Sequence, residues 1–165
     1  MFVEMKVAGI VLDPYTNVPI VVLKDMEDKT TVPIWIGLVE ASAIAMELEQ
    51  IKIQRPLTHD LLKNVIAELK VDVLKIEVTD LKDNTYYALI HLKNGEDIIA
   101  VDSRPSDAIA LALRTESPIF VSDKVIEKSQ QEHLDRQTAF TEENKDKWTE
   151  ILENLNPDDF GKYKM

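Results

Sequence analysis

Six consecutive residues, Ala108 to Leu113, carry no polar atom outside the backbone, and a polar cluster at 102–107 precedes them in the stretch DSRPSDAIALALR. An apolar run of this kind predicts a helix that is buried on every side. Because unpaired polar groups are costly in a protein interior, the polar cluster has to surface at an edge or a cleft. The stretch therefore predicts a buried helix whose start carries the chemistry.

Apolar patterning predicts six strands and several helices around that buried helix. Alternating or continuous apolar residues predict strands over residues 2–13, 19–23, 30–36, 71–79, 85–92 and 97–101. Helical spacing predicts amphipathic helices over 39–51 and from Thr58 to Leu69, the second with a core stripe at Leu61, Leu62, Val65, Ile66 and Leu69. Asn94-Gly95 predicts a tight hairpin. A short apolar segment at 118–121 and a short helix from about Asp123 follow the buried helix.

The order of these elements repeats within the chain. Strand, strand, strand, helix occurs over 2–51 and again over 71–114, and the helices share the similar segments AIAMEL (43–48) and AIALAL (108–113). Chance similarity between two short, alanine-rich segments is the alternative explanation. If the halves are duplicates, we expect an α+β fold of two β3α2 units that form a single mixed sheet, with helices packed outside it.

Length and polarity indicate how the chain is divided. At 165 residues it is one ordinary domain with a short appendage. We place the domain at about 1–127, with repeats at about 2–69 and 71–127, and a polar linker with a C-terminal amphipathic helix at 128–165. That last helix, from about Glu142 to Leu155, either docks on the domain and covers Trp148 or forms an arm that binds a partner.

The charge balance argues against a general nucleic-acid binder. The chain has 30 acidic and 19 basic residues and a net charge of −11, whereas nonspecific affinity for nucleic acids comes from lysine and arginine on phosphates. A local basic pocket or a bound divalent metal could reverse this locally. The sequence contains no cysteine, which excludes disulfides, thiolate nucleophiles and zinc-finger sites.

The beginning of the chain bears on its location. The start MFVEMKVAGIVLD has Glu4 and Lys6 inside its apolar run, so it predicts a strand and not a signal peptide. No run in the sequence approaches the ~18–20 apolar residues that a membrane span needs. We therefore expect a cytoplasmic protein without a membrane partner.

Polar residues gather where the three main helices begin. Asp102, Arg104, Ser106 and Asp107 surround the start of the third helix, His59 and Asp60 the start of the second, and Glu40 the start of the first. Proline, serine and a carboxylate are ordinary first-turn residues, with Ser103 or Ser106 as the cap. A cation there opposes the helix dipole unless it pairs with a neighbouring carboxylate or a ligand. Arg104 therefore indicates either a structural ion-pair cluster or a ligand or metal site.

Two further sets of candidates are weaker. His59 beside Asp60 resembles a general base and its carboxylate, but adjacent helical residues point about 100° apart and would not contact each other. Glu40, Asp60, Asp102 and Asp107 supply the hard oxygen ligands that Mg²⁺, Mn²⁺ or Ca²⁺ prefer, although no spacing among them is a metal motif. The sequence has no GxGxxG, P-loop or GxSxG motif, so nucleotide-dependent and serine-hydrolase functions are disfavoured.

Three motifs in order, PIWIG with the following EA and AIA, RPLTHDLL, and VDSRPSDAIALALR, resemble the bifunctional nuclease family, a small domain of bacteria and plants. The resemblance spans about Met5 to Val125. It implies a duplicated β3α2 fold with one barrel-like sheet, homodimers as partners, and hydrolysis of both DNA and RNA. The family's polar motif residues fall at Glu40, Arg55, Thr58, His59, Asp60, Asp102, Arg104, Ser106 and Asp107.

The resemblance suggests roles for these residues as hypotheses. Glu40, Asp102 and Asp107 would hold Mg²⁺ or Mn²⁺ that activates water. His59 would be the general base or acid, with Asp60 beside it among the catalytic candidates. Arg55, Arg104 and Ser106 would bind the substrate, the arginines by neutralising the phosphate. The acidic surface opposes this, so a non-catalytic homodimeric binding or regulatory module, whose polar corners are structural, is the alternative.

Overall fold

One seven-stranded sheet and four helices make up residues 1–139, which the computed structural model describes, with side chains through residue 133. In chain order the elements are β1 (Phe2–Leu12), β2 (Pro19–Asp25), β3 (Thr31–Trp35), α1 (Leu38–Leu48), α2 (Thr58–Glu68), β4 (Asp72–Lys82), β5 (Thr85–Asn94), β6 (Asp97–Ser103), α3 (Pro105–Thr115), β7 (Ile119–Ser122) and α4 (Asp123–Ala139). The α+β class predicted from the sequence is confirmed.

The sheet has the strand order β3-β2-β1-β7-β4-β5-β6. Two antiparallel meanders, β1–β3 and β4–β6, flank β7, which runs antiparallel to β1 and parallel to β4. The sequence predicted six strands and left 118–121 as a segment, so the seventh strand at the centre of the sheet is a correction. Four residues are too few to show a strand period.

Two tight turns hold β4, β5 and β6 in register. Asp83 and Asn84 both have positive φ between paired Lys82 and Thr85, the geometry of a type I′ hairpin. Gly95 has a φ of +63° in the next turn, which an L side chain rarely adopts. The hairpin predicted at Asn94-Gly95 is confirmed.

The sheet is strongly curved but open. The hydroxyl of Tyr86 on β5 donates a hydrogen bond of 3.0 Å to the carbonyl oxygen of Pro33 on β3, although four strands lie between the two in the sheet order. Among the described strands, β3 and β6 each pair on one side only, so the barrel-like closure expected from the family resemblance is not found. The internal duplication stays a prediction.

Helix α3 is buried as its apolar run predicts. Ala108, Ile109, Ala110 and Leu111 are inaccessible to solvent. The helix packs against α1 and α2 and lies over β4 and β5. Its buried position brings its first turn, which carries the polar cluster, to the junction of the three helices.

Helix α2 differs from the prediction for its apolar stripe. Of the five residues predicted to face the core, four are exposed, namely Leu61, Leu62, Val65 and Leu69, and only Ile66 packs against the core. The buried residue of this helix is His59. The error arises because periodicity identifies an apolar face but not what covers it.

Helix α4 is longer than predicted and continues through residues 128–139, which the sequence suggested as a polar linker. Its buried side chains Val125 and Ser129 fix its first half to the domain. The predicted helix from Glu142 to Leu155, with Trp148, lies outside the described residues. In the part of the chain that is described, no helix is long and apolar enough to cross a membrane.

Candidate functional site

The guanidinium of Arg104 joins the first turns of α1 and α3. Its Nη2 lies 2.8 Å from Oε1 of Glu40 and its Nε lies 2.7 Å from Oδ2 of Asp107. The pairing partner among the neighbouring carboxylates is therefore Asp107, together with the distant Glu40, and not Asp102. These two carboxylates explain how a cation is accommodated at the positive end of a helix dipole.

His59 extends the same cluster to the first turn of α2. Its Nε2 lies 2.9 Å from Oδ1 of Asp107, and its side chain is only 11% exposed. An ionised carboxylate can only accept, so Nε2 donates and Nδ1 remains as the ring nitrogen that can take a proton. Glu40, Arg104, Asp107 and His59 thus form one chain of contacts at the meeting point of three helix N-termini, called here the junction cluster.

Local backbone features aim these side chains at one another. Arg104 is the N-cap of α3 in an extended conformation, and Pro105 occupies the first turn as predicted. No side chain caps the helix, which corrects the expected Ser103 or Ser106 cap, because the Ser103 hydroxyl donates to the carbonyl oxygen of Arg104. Gly37, the N-cap of α1, leaves the space that Oε2 of Glu40 fills.

Hydrogen bonds set the charge states of the junction cluster. Burial raises the pKa of Asp107, but hydrogen bonds from Arg104 and His59 outweigh it and hold the pKa below its usual value. Hydrogen bonds to Asp107 and then to Glu40 raise the pKa of the Arg104 guanidinium. Asp107 is therefore a carboxylate at neutral pH and acts as an acceptor for both neighbours.

A second ion pair, between Arg114 and Asp60, was not among the sequence candidates as a pair. The Arg114 side chain is 3% exposed, and its Nε lies 2.8 Å from Oδ1 of Asp60. Its two terminal nitrogens donate to the carbonyl oxygens of Ala110 (2.9 Å) and Ala43 (3.0 Å), so one guanidinium ties α1, α2 and α3 together. The sequence contained one signal for this ion pair. Arg114 lies one helical turn beyond Ala110, on a helix that the apolar run predicts to be buried.

Asp60 and His59 therefore have separate partners, as their adjacent positions on a helix require. The second oxygen of Asp60 accepts a hydrogen bond from the backbone N–H of Leu57, which is the N-cap of α2. Thr58 is the first helical residue. Burial raises the pKa of Asp60, but the Arg114 hydrogen bond and the Leu57 N–H hold it below its usual value.

The remaining sequence candidates lie apart from the junction cluster or contribute backbone to it. Asp102 is exposed on β6, paired in register with Leu89, and contacts none of the cluster side chains. Ser106 is buried in the first turn of α3. Arg55 is exposed and lines a cavity that also contacts Asp60 and Arg114.

The three carboxylates predicted to hold a divalent metal have other surroundings in the structure. Glu40 and Asp107 both bind the Arg104 guanidinium, so a cation already lies between them, and Asp102 stands outside. Within residues 1–133, whose side chains are described, no group of three or more histidine, aspartate or glutamate side chains is placed to hold a metal ion. The predicted set of Glu40, Asp102 and Asp107 is thus not assembled as metal ligands in this structure.

One further titratable cluster lies on the sheet, away from the helix junction. Glu77 on β4 is nearly buried and lies 2.8 Å from Nε2 of His91 and 2.5 Å from Nζ of Lys75. The ammonium of Lys75 also lies 5.6 Å from the centroid of the Phe120 ring. These groups satisfy one another, which accounts for a carboxylate on a strand face.

Comparisons with known proteins agree with the motifs. The model of the bifunctional nuclease domain matches residues 21–133. An uncharacterized protein of Mycobacterium tuberculosis is 37% identical over 163 residues, which cover 95% of this chain and 97% of the relative. Bifunctional nuclease 1 of Arabidopsis thaliana is 30% identical over 116 residues (67% of this chain), and Bifunctional nuclease 1 of Oryza sativa subsp. japonica is 31% identical over 110 (64%).

The matched segments extend over 35% of the Arabidopsis protein and 33% of the rice protein, so this chain corresponds to about a third of each plant relative. The matched region of this chain contains Glu40, His59, Arg104 and Asp107, which are the members of the junction cluster. The family match covers more than half of the sequence. The chain therefore belongs to the bifunctional nuclease domain family.

Proposed function

We propose that this chain is a nuclease that hydrolyses phosphodiester bonds of DNA and RNA, with His59 and Asp107 as its proton-transfer pair. The observation that carries the proposal is the 2.9 Å contact between His59 Nε2 and Asp107 Oδ1, in a chain of the bifunctional nuclease domain family. The names of the plant relatives, bifunctional nucleases, support the type of reaction.

The hydrogen bond between His59 and Asp107 supports a role in general-base catalysis. When Nε2 donates to Asp107, the lone pair of Nδ1 can take a proton from the water that attacks the phosphorus. The carboxylate then stabilises the imidazolium that forms and keeps the ring in one orientation. His59 would return the proton to the leaving oxygen, so the ring ends the cycle as it began it.

Arg104 would neutralise the phosphate that is cleaved. Its side chain is 65% exposed. Asp107 holds its Nε and Glu40 holds its Nη2, whereas its Nη1 has no partner among the described residues. A guanidinium fixed at two of its nitrogens presents the third without further loss of side-chain entropy. Glu40 has the supporting role of holding Arg104 in place.

Asp60 and Asp102 take different places in this proposal. Asp60 would act through Arg114, by fixing the start of α2 and with it the His59 ring. Asp102 stays outside the machinery because it is exposed on β6 and touches no member of the junction cluster. No step is routed through a metal, since the carboxylates that would hold one bind Arg104 instead.

The test is an assay of purified protein on single-stranded DNA and on RNA, with Mg²⁺, with Mn²⁺ and with EDTA. We expect cleavage that falls by about 10²–10⁴ in His59→Gln and keeps its rate in a matched surface variant, Lys93→Gln. The metal arms report whether a divalent ion adds to the rate. If His59→Gln cleaves as fast as wild type under every condition in which wild type cleaves, the activity does not come from the proposed site.

We also propose that the chain forms a homodimer through the free edge of β6. Within residues 1–139, β6 pairs only with β5, and its apolar residues Ile98, Ile99 and Val101 are exposed. A free edge of this kind readily pairs with another strand. Two antiparallel copies of one edge are related by a twofold axis, which is the commonest symmetry of soluble oligomers.

One register of β6 against itself pairs apolar residues at the centre of the strand. Pairing centred on Ala100 would set Ile99 opposite Val101 of the partner subunit and Ile98 opposite Asp102 of the partner subunit. The two Ile99–Val101 pairs would then form the apolar centre of the contact. A dimer without any cleavage in the assay above would favour the second candidate function, a non-catalytic binding or regulatory module.

A further inference from the structure

A cavity of about 300 Å³ lies between the end of α1, the loop at 49–57, the start of α2 and the end of α3. This volume is at the lower end of the range for small-molecule sites, roughly 300–1,000 Å³. Asp60 lines the cavity and is the chain neighbour of His59. The cavity is therefore connected to the proposed proton-transfer pair through the first turn of α2, which carries both Asp60 and His59.

The charges that line this cavity reverse the balance of the chain as a whole. Three cations, Lys52, Arg55 and Arg114, face two carboxylates, Glu47 and Asp60, which gives a local excess of one positive charge. The chain carries a net charge of −11. A positive recess in an acidic protein attracts an anion locally, because near charges outweigh distant ones that are screened by salt.

Two of the three cations are available to a ligand. Arg114 is held by Asp60 and by two backbone carbonyls. Lys52 and Arg55 are exposed, and among the described residues neither makes an ion pair or a side-chain hydrogen bond. An arginine and a lysine three residues apart can hold the oxygens of one phosphate, the arginine with a fork of donors and the lysine as a point charge.

Three apolar side chains also line the cavity. Ile51 is 52% exposed and Ile53 is 41% exposed, while Met46 is buried. Two half-exposed isoleucines beside two free cations form a surface that suits a ligand with a flat apolar part and an anionic part. A nucleotide, with its base and its phosphate, has this chemistry.

We infer that the cavity binds one nucleotide, with its phosphate between Lys52 and Arg55 and its base against Ile51 and Ile53. The inference rests on the proposed function, because the cavity would hold a nucleotide of the strand whose phosphodiester is attacked by the water that His59 activates. The volume admits one nucleotide, so the terminal nucleotide of a strand and a free nucleoside monophosphate are the two sources of the same ligand chemistry.

Isothermal titration calorimetry on the full chain tests the site with adenosine 5′-monophosphate, adenosine and inorganic phosphate as separate probes. We expect the monophosphate to bind more tightly than either of its parts. Arg55→Ala and Lys52→Ala should each weaken it about tenfold, since a hydrogen bond to a charged group contributes about 1.5 kcal/mol or more. Lys63→Ala, an exposed lysine of α2 outside the cavity, is the matched control and should change the affinity less than twofold.

The apolar wall has its own test. Ile53→Ser should weaken the binding of the monophosphate several-fold and leave the binding of inorganic phosphate unchanged. A 5′-phosphorylated dinucleotide that binds at least as well as the monophosphate identifies a strand end as the ligand. Exclusion of the dinucleotide would remove the role of the cavity in strand cleavage.

Failure of this inference can be told apart from failure of the proposed function. His59→Gln should slow cleavage by about 10²–10⁴ but keep the affinity for the monophosphate within twofold. Equal binding by wild type and by Lys52→Ala with Arg55→Ala, or binding of phosphate as tight as that of the nucleotide, would overturn the nucleotide site whatever the cleavage assay gives. Absence of cleavage, with monophosphate binding intact and sensitive to Arg55→Ala, would overturn the nuclease proposal and leave the binding site in place.

Discussion

Nε2 of His59 and Oδ1 of Asp107 lie 2.9 Å apart, although 48 residues separate them in the chain. The contact connects the first turn of α2 with the first turn of α3, and Arg104 continues it to Glu40 on α1. A histidine held by a carboxylate and placed beside an exposed guanidinium is an arrangement that can move a proton next to a phosphate.

Arg114 should matter more for stability than Arg104. Arg114→Met leaves Asp60 and two carbonyl oxygens without their buried donor, so we expect a loss of about 3 kcal/mol or more in the free energy of unfolding. Arg104→Met removes a guanidinium that is 65% exposed and should cost about 1 kcal/mol or less. Urea denaturation of both variants measures the difference. Equal losses would show that burial does not set the strength of these ion pairs.

Stability should fall in acid, in part through Asp107. The folded-state pKa values of Asp107, Asp60 and Glu77 are below their usual values. A depressed carboxylate stabilises the fold above its unfolded-state pKa, and this contribution is lost as the pH falls through the folded-state pKa. The free energy of unfolding should therefore decline from about pH 5 towards pH 2.

The control for this acid effect is a pair of isosteric variants. Asp107→Asn should lower stability at pH 7 by about 1–2 kcal/mol and make the decline in acid shallower. Asp102→Asn, at an exposed position outside the junction cluster, should leave the curve unchanged. Urea denaturation midpoints measured across the pH range compare both variants with wild type. An Asp107→Asn curve parallel to that of wild type would contradict a contribution of Asp107 to the loss of stability in acid.

Gly37→Ala should affect the junction cluster more than it affects the fold. The backbone at Gly37 has a φ of −72°, which alanine adopts readily, but an added Cβ would clash with Oε2 of Glu40. Because a flexible carboxylate can move away, the stability loss should stay within about 1 kcal/mol. Cleavage should fall to the level of Glu40→Gln, since both changes release Arg104. Full activity in Gly37→Ala would mean that Glu40 does not hold Arg104 in the active state.

The proposed dimer can be tested by the mass of the particle in solution. Ile99→Lys places a charge at the centre of the β6 pairing and should convert a dimer into a monomer in sedimentation velocity experiments. Leu69→Lys, on the exposed apolar face of α2, is the comparison. Dissociation by Leu69→Lys alone would move the interface from β6 to α2. A monomeric wild type would remove the homodimer from the account.

The sequence was sufficient for the features that local patterns determine. The apolar run from Ala108 to Leu113 predicted a buried helix, and α3 is buried. Asn94-Gly95 predicted its hairpin because few residues tolerate positive φ. Polar residues at helix starts marked Glu40, His59, Arg104 and Asp107 as candidates, and these four are in contact.

Features that depend on long-range packing could not be predicted. The ion pair of Arg114 with Asp60 forms only when three helices pack together, and no local pattern indicates a partner 54 residues away. The exposed stripe of α2, with Leu61 and Val65, has the same spacing as a buried one. The position of Arg104 between Glu40 and Asp107 is a further long-range feature that the sequence did not indicate.

The most direct test of the central claim is the initial rate of single-stranded DNA and RNA cleavage by four proteins: wild type, His59→Gln, Asp107→Asn and the double variant. If the two residues act as one unit, each single change should reduce the rate by about 10²–10⁴, and the double variant should be no slower than the worse single one. Circular dichroism must show that all four are folded. Single variants that cleave within twofold of wild type would contradict the assignment of His59 and Asp107 as the proton-transfer pair.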